Sequence, residues 1–147
     1  MNDSADKIAK FEKSRILIVD DFEPWRRTVC SLLLQSRDLQ VVGESSDGLD
    51  AVHKSEELRP DLVLLDIQLP RMNGLMAAPS IRKVSPNTRV LFLSSYQSID
   101  IMQEALRVGD GFVVKANAAR DLLPIIGSVI RREPFRRFRF LDVDEAD

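Results

Sequence analysis

Four short apolar runs each end in a polar side chain, and together those ends make a chemically coherent set. Residues 15–19 (Arg15-Ile16-Leu17-Ile18-Val19) lead into Asp20-Asp21, and residues 61–65 lead into Asp66. Arg89-Val90-Leu91-Phe92-Leu93 leads into Ser94, and Phe112-Val113-Val114 leads into Lys115. Three carboxylates, a hydroxyl and an ammonium delivered to one crevice suit a hard cation and a phosphoryl group. Carboxylate oxygens are what a small divalent cation takes, and a lysine offers phosphate a compact point charge.

What could bring them together is the kind of element that carries them. Apolar runs this short, flanked by helix-length amphipathic segments, read as parallel strands buried on both faces. In an open parallel sheet the ligand crevice lies beyond the carboxyl ends of the strands.

The segments between the runs supply the helices. The first helix begins near Glu23, with Pro24 in its tolerated first turn and a stripe of Trp25, Val29, Leu32 and Leu33. A further strand at about 39–44 carries Leu39, Val41 and Val42, and Asp47 caps a helix that runs through Leu58 and stops at Pro60. Leu69-Pro70-Arg71-Met72-Asn73-Gly74 is a turn-rich loop before a third helix at about 74–84, which Pro79 should kink or fray. Ser98 caps a fourth helix with apolar positions Ile101, Met102, Ala105 and Leu106. Gly109 and Gly111 bracket a tight turn, and a last helix at about 118–131 buries Leu122, Ile126, Val129 and Ile130, with Pro124 as a possible bend. Five β-α units in strict alternation predict an α/β fold, a doubly wound five-stranded parallel sheet with helices on both faces.

Composition restricts the function classes. The chain has 147 residues, enough for one domain with a real core. Its formal net charge of −2 gives no overall attraction to nucleic acid or an anionic membrane. One cysteine, Cys30, excludes an internal disulfide, fits a reducing compartment and reads as a packed thiol. No apolar run approaches membrane-spanning length and the polar start has no signal-peptide core, so a cytoplasmic protein is expected. The lone histidine, His53, has no acidic or cysteine partner at ligand spacing and reads as a surface residue, not a phosphodonor.

Asp20-Asp21, Asp66, Ser94 and Lys115, with Leu17-Ile18-Val19 before the first pair, Leu69-Pro70 and Asn73-Gly74 after Asp66, and Gly111-Phe112-Val113-Val114 before the lysine, resemble the receiver domain of two-component response regulators. The closest flavour is the receiver half of regulators with a helix-turn-helix output. The resemblance covers about residues 14–131, leaving 1–13 as a flexible leader and 132–147 as a tail. It implies the flavodoxin-like strand order 2-1-3-4-5 and phosphorylation of Asp66 by a histidine kinase or phosphotransfer protein. It further implies Mg²⁺, for which Mn²⁺ could substitute, held by Asp20, Asp21, Asp66 and the Gln68 backbone carbonyl. Lys115 would pair with Asp66 and then, with Ser94, stabilise the phosphoryl group. Ser94 and Phe112 would form the switch that alters a face of the fourth helix, fifth strand and fifth helix, used for partner binding or homodimerisation.

Departures bear on the switch more than on the chemistry. Gly109-Asp110-Gly111 is one residue shorter than the usual turn, Ala116 stands where many relatives have proline, and Phe112 lacks a tyrosine hydroxyl. Two rival readings stay open. A Mg²⁺-dependent phosphohydrolase of the haloacid dehalogenase type would carry a second acid two residues after the nucleophile, where this chain has Gln68. A receiver-like module that is never phosphorylated would not need the full acid set. The tail, with Arg136-Arg137-Phe138-Arg139-Phe140-Leu141 followed at once by Asp142, Asp144, Glu145 and Asp147, is expected to pack on its own domain or a dimer mate. Those acids argue against direct nucleic-acid binding, and too few residues follow the fifth helix for a helix-turn-helix, so the chain as given is expected to carry no DNA-reading module. The acidic end after Leu141 favours a stand-alone receiver over the competing reading, a fragment of a transcription regulator.

Overall fold

The computed structural model describes residues 12–132 apart from residue 97. Nearly all of the 1–13 leader, up to residue 11, and all of the Arg/Phe-rich tail beyond 132 lie outside the described residues.

Among the described residues, β1 (Ser14–Val19), α1 (Glu23–Leu33), β2 (Leu39–Ser45), α2 (Gly48–Leu58), β3 (Leu62–Asp66), α3 (Gly74–Val84), β4 (Arg89–Ser94), α4 (Ile99–Val108), β5 (Gly111–Val114) and α5 (Ala118–Ile130) follow in order. A single 3₁₀ turn, Lys115–Asn117, joins β5 to α5. The strands form one sheet in the order β2-β1-β3-β4-β5, and the pairings are parallel. The predicted fold is the observed one.

Side-chain alternation sorts the apolar strand residues into two cores. Leu17, Val19, Val63, Leu65, Val90, Phe92, Phe112 and Val114 pack beneath Ala51 of α2, Ala77, Ala78 and Ile81 of α3, and Met102 and Ala105 of α4. Ile16, Ile18, Leu62, Leu64, Leu91, Leu93 and Val113 face the other way, onto Val29 and Leu33 of α1 and Leu122, Ile125, Ile126 and Val129 of α5. Strands apolar on both faces are what a sheet covered by helices on each side requires. Because α1, which follows β1, and α3, which follows β3, lie on opposite faces, the chain leaves a crevice where the connections diverge, at the carboxyl ends of β1 and β3.

α3 does not fray at Pro79 but runs unbroken through it, and α5 runs through Pro124. Both prolines are exposed, so the carbonyl deprived of its partner lies on the side where water can take it. The expected caps Asp47 and Ser98 accept from the backbone N–H of Asp50 and Ile101, and Asn73, read from sequence only as part of a loop, caps α3 by accepting from the Met76 N–H.

A feature the sequence reading passed over secures the far side of the sheet. The Asp110 carboxylate accepts from Arg82 of α3 at 2.6 Å, from the Val90 backbone N–H at 2.8 Å and from Arg89 at 3.4 Å. The shortened turn before β5 is thus fixed to both α3 and β4. Gly109 in that turn has an extended backbone; it is needed for space, since a Cβ there would lie 2.5 Å from the Phe92 ring.

Candidate functional site

Asp20 closes β1, Asp66 closes β3, Ser94 closes β4 and Lys115 follows β5, so the register of the sheet brings their side chains to one edge. They line a cleft of about 360 Å³ with Asp21, Phe22, Gln68, Ser95 and Tyr96. Asp20, Asp66 and Ser94 are buried, whereas Asp21 and Gln68 are exposed at the rim.

Carboxylate oxygens of Asp20, Asp21 and Asp66 all lie within 4.8 Å of one another. Three like charges this close repel, and an oxygen-seeking divalent cation is the natural counter-charge. The donor set fits Mg²⁺: all oxygen, with one exposed ligand leaving room for the waters that this ion keeps.

The Asp20 carboxylate is engaged twice. One oxygen accepts from the Phe22 backbone N–H at 2.9 Å and the other from Lys115 Nζ at 2.5 Å. The Lys115 ammonium stands 3.5 Å from Asp66, so in this structure the lysine pairs with Asp20 first and Asp66 second. The Asp66 pairing that the resemblance implied is present, alongside a shorter one to Asp20, the more deeply buried of the two carboxylates. The Asp20 backbone carbonyl accepts from Arg26, whose guanidinium also pairs with Glu44 at 2.8 Å, tying α1 to the ends of β1 and β2.

Burial pushes the Asp66 carboxyl up to about 6. The Lys115 charge opposes that rise, the neighbouring Asp20 charge adds to it, and the Gln68 backbone N–H and Lys115 hydrogen bonds hold it down. An aspartate raised this far has a more basic, more nucleophilic carboxylate, and it is the pattern expected of a functional carboxyl in a cleft.

Ser94 is 1% exposed, and its Oγ accepts from the Tyr96 backbone N–H at 3.0 Å. At the rim, Gln68 donates through Nε2 to the Tyr96 hydroxyl at 3.1 Å, closing one side of the cleft. Phe112 is 1% exposed and packs in the core with Phe92, Met102 and Ala105. His53 is exposed on α2, and Cys30 is half-buried against α1 neighbours with its thiol pushed up by burial. Among the described residues there is no cis peptide, so Lys115-Ala116 is trans.

Two local features missed from sequence shape this site. Gly74 donates to the Ile67 carbonyl at 2.8 Å, and a Cβ on it would lie 2.1 Å from the Asp66 carbonyl oxygen. The Asn73-Gly74 pair thus does more than turn the chain: it lets the N-terminus of α3 touch the backbone of Asp66. Trp25, read as part of the apolar stripe of α1, also presents its ring to the Lys115 ammonium, 5.4 Å from the centroid. A residue three positions after Phe22, at a helix start, carries no sequence signal for that role.

A family profile described as the response regulator receiver domain matches residues 16–127. The chain belongs to this family. Among curated relatives, this receiver domain is 36% identical over 120 residues to the response regulator protein VraR of Staphylococcus saprophyticus and 35% identical to VraR of Staphylococcus aureus. In both cases the match takes in 81% of this chain but 57% of the relative, so the receiver spans little more than half the length of those proteins. Among solved structures it superposes on the signal receiver domain of NarL from Mycobacterium tuberculosis with a TM-score of 0.77 at 31% identity, covering 82% of this chain and 98% of that one. The response regulator domain of Thermotoga maritima CheB gives a TM-score of 0.76 at 32% identity, covering 84% of this chain and all of the other. Among the described residues, no helix of the receiver is long and apolar enough to cross a membrane.

Proposed function

We propose that this receiver domain takes a phosphoryl group onto Asp66 from the phosphohistidine of a histidine kinase or phosphotransfer protein, with Mg²⁺ or Mn²⁺ held by Asp20, Asp21, Asp66 and the Gln68 backbone carbonyl. The observation that carries the reading is the gathering of three carboxylates within 4.8 Å around one ammonium, at the carboxyl edge of a parallel sheet.

An Asp66 carboxylate oxygen attacks phosphorus, the P–N bond to the donor imidazole breaks, and the imidazole takes the electron pair and a proton. The product is an acyl phosphate. Carboxylate and phosphoryl group are both anionic, and the bound cation supplies the positive charge that offsets their repulsion. Lys115, 3.5 Å from Asp66, adds a second positive charge beside the carboxylate. The buried Ser94 hydroxyl, whose oxygen accepts from the Tyr96 backbone N–H and whose own O–H is free to donate, is the hydrogen-bond donor to a phosphoryl oxygen.

Movement of Ser94 toward the phosphoryl group is the local event that couples phosphorylation to the rest of the fold. Through its hydrogen bond with the Tyr96 backbone N–H it pulls on the segment after β4, which leads into α4, while Phe112 fills the interior beneath it. The α4-β5-α5 face, to which the half-buried Leu106 and Val108 belong, then changes its affinity for a partner or a second copy. Hydrolysis of the acyl phosphate by water resets the site. On this reading the chain catalyses its own phosphorylation and dephosphorylation and acts on no external substrate. A kinase as partner places it in the cytoplasm.

The test is intact mass after incubation with acetyl phosphate, with and without Mg²⁺. A Mg²⁺-dependent gain of one phosphoryl group, lost in Asp66→Asn, is expected. Turnover of general phosphate esters would favour the phosphohydrolase instead. A folded protein that neither binds Mg²⁺ nor gains mass would favour the unphosphorylated interaction module.

A further inference from the structure

Lys115 has a third partner that the phosphorylation chemistry leaves unused. Its ammonium lies 2.5 Å from Asp20, 3.5 Å from Asp66 and 5.4 Å from the centre of the Trp25 ring, and its side chain is 17% exposed. That separation is within the reach of a cation–π attraction, and tryptophan is the best of the aromatic faces for it. Trp25 is held rigidly enough to matter: it lies in the first turn of α1, its backbone N–H donates to the Phe22 carbonyl at 3.1 Å, and its side chain packs with the α1–α5 core. The indole Nε1 is buried and has no hydrogen-bond partner, so the contact with Lys115 is made by the ring face.

The three partners respond differently to occupation of the site. The Asp20 carboxylate that now holds Lys115 is also one of the three that would hold a divalent cation, so it would be shared between the two charges once the cation is bound. The nearest anchor of the ammonium is thereby weakened at the stage when it has to stay beside Asp66. The Trp25 ring is neutral and does not bind the cation's oxygen ligands, so its attraction for Lys115 persists.

We propose that Trp25 is a positioning residue: its ring keeps the Lys115 ammonium in the cleft, oriented toward Asp66, when Asp20 is engaged by a divalent cation. The inference rests on the phosphorylation reading above. It assigns Trp25 no contact with the reacting atoms.

Two measurements test it. The chain has one tryptophan, so its emission reports on Trp25 alone. Replacing the nearby charge by Lys115→Met is expected to change the emission intensity or maximum of the folded, metal-free protein, and identical spectra would overturn the contact. The second measurement is the rate of phosphorylation by acetyl phosphate at saturating Mg²⁺ for wild type, Trp25→Leu and Trp25→Phe. Trp25→Leu, which retains apolar bulk but no π face, is expected to slow the reaction about two- to fivefold, and Trp25→Phe to recover most of the loss. Mg²⁺ affinity is expected to be unchanged in both, which a merely loosened site would not give. Equal rates in wild type and Trp25→Leu would overturn the positioning role alone. A wild type that takes up no phosphoryl group would overturn the phosphorylation reading and the positioning role with it, whatever the emission shows.

Discussion

Removing the negative charge of Asp66 should stabilise the metal-free protein. An exposed aspartate titrates near 3.8, whereas burial pushes Asp66 to about 6. At pH 7.5 the folded protein therefore carries an ionised group that its surroundings disfavour, at a cost of about 3 kcal/mol from 1.36 kcal/mol per pH unit. The side chain keeps 10% of its surface exposed and faces an open cleft whose water screens the charge, which brings the expected value to about 2 kcal/mol. The sign follows from the raised value: the folded state binds this proton more tightly than the unfolded one. Its contribution to stability is full below about pH 4 and is lost as pH rises through about 6. Asp66→Asn keeps the shape and a hydrogen-bonding oxygen but has no charge. Urea denaturation in a chelator at pH 7.5 should find it about 2 kcal/mol more stable than wild type, or about 6–7 °C higher in Tm. At pH 4.5 the advantage should fall below about 1 kcal/mol. Mg²⁺ should narrow the gap at pH 7.5 by stabilising the wild type preferentially. A mutant no more stable than wild type at pH 7.5 in chelator would refute the reasoning, as would an advantage that does not shrink toward pH 4.5.

Three further substitutions probe the frame around the site. Gly74→Ala puts a methyl group 2.1 Å from the Asp66 carbonyl oxygen, so α3 must move, and a loss of at least about 2 kcal/mol is expected by urea denaturation. Asp110→Ala leaves Arg82, Arg89 and the Val90 N–H without their shared acceptor and should cost about 2–4 kcal/mol, while Asp110→Asn should recover part of it. Arg59 caps α2 in the left-handed region at φ 47°, where glycine carries no Cβ penalty. Arg59→Gly should therefore raise stability by about 0.5–1 kcal/mol in a thermal melt.

Much of this architecture is legible in the sequence because its signals are local. Apolar runs of strand length, side-chain caps at Asp47 and Ser98, and an acid or base at the end of each run lead directly to a parallel sheet with a polar edge. That α3 continues through Pro79 without fraying is not legible in the sequence, because the cost of an interior proline depends on whether water reaches the freed carbonyl, and exposure is a tertiary property. The pairing of Lys115 with Asp20 ahead of Asp66 was not legible either. It depends on a competition between two carboxylates that differ in depth by less than a side chain. Asp110 and Trp25 show the same limit: each acts through partners more than fifteen residues away, and neither residue type is unusual for its element.

The most direct test of the central claim is to locate the phosphoryl group chemically. The protein, phosphorylated by acetyl phosphate with Mg²⁺, is reduced with borohydride, which converts an aspartyl phosphate to homoserine, and the product is digested and sequenced by mass spectrometry. Homoserine at position 66, absent without Mg²⁺, is the result this account predicts. Modification at Asp20 or Asp21, with Asp66 recovered intact, would contradict it.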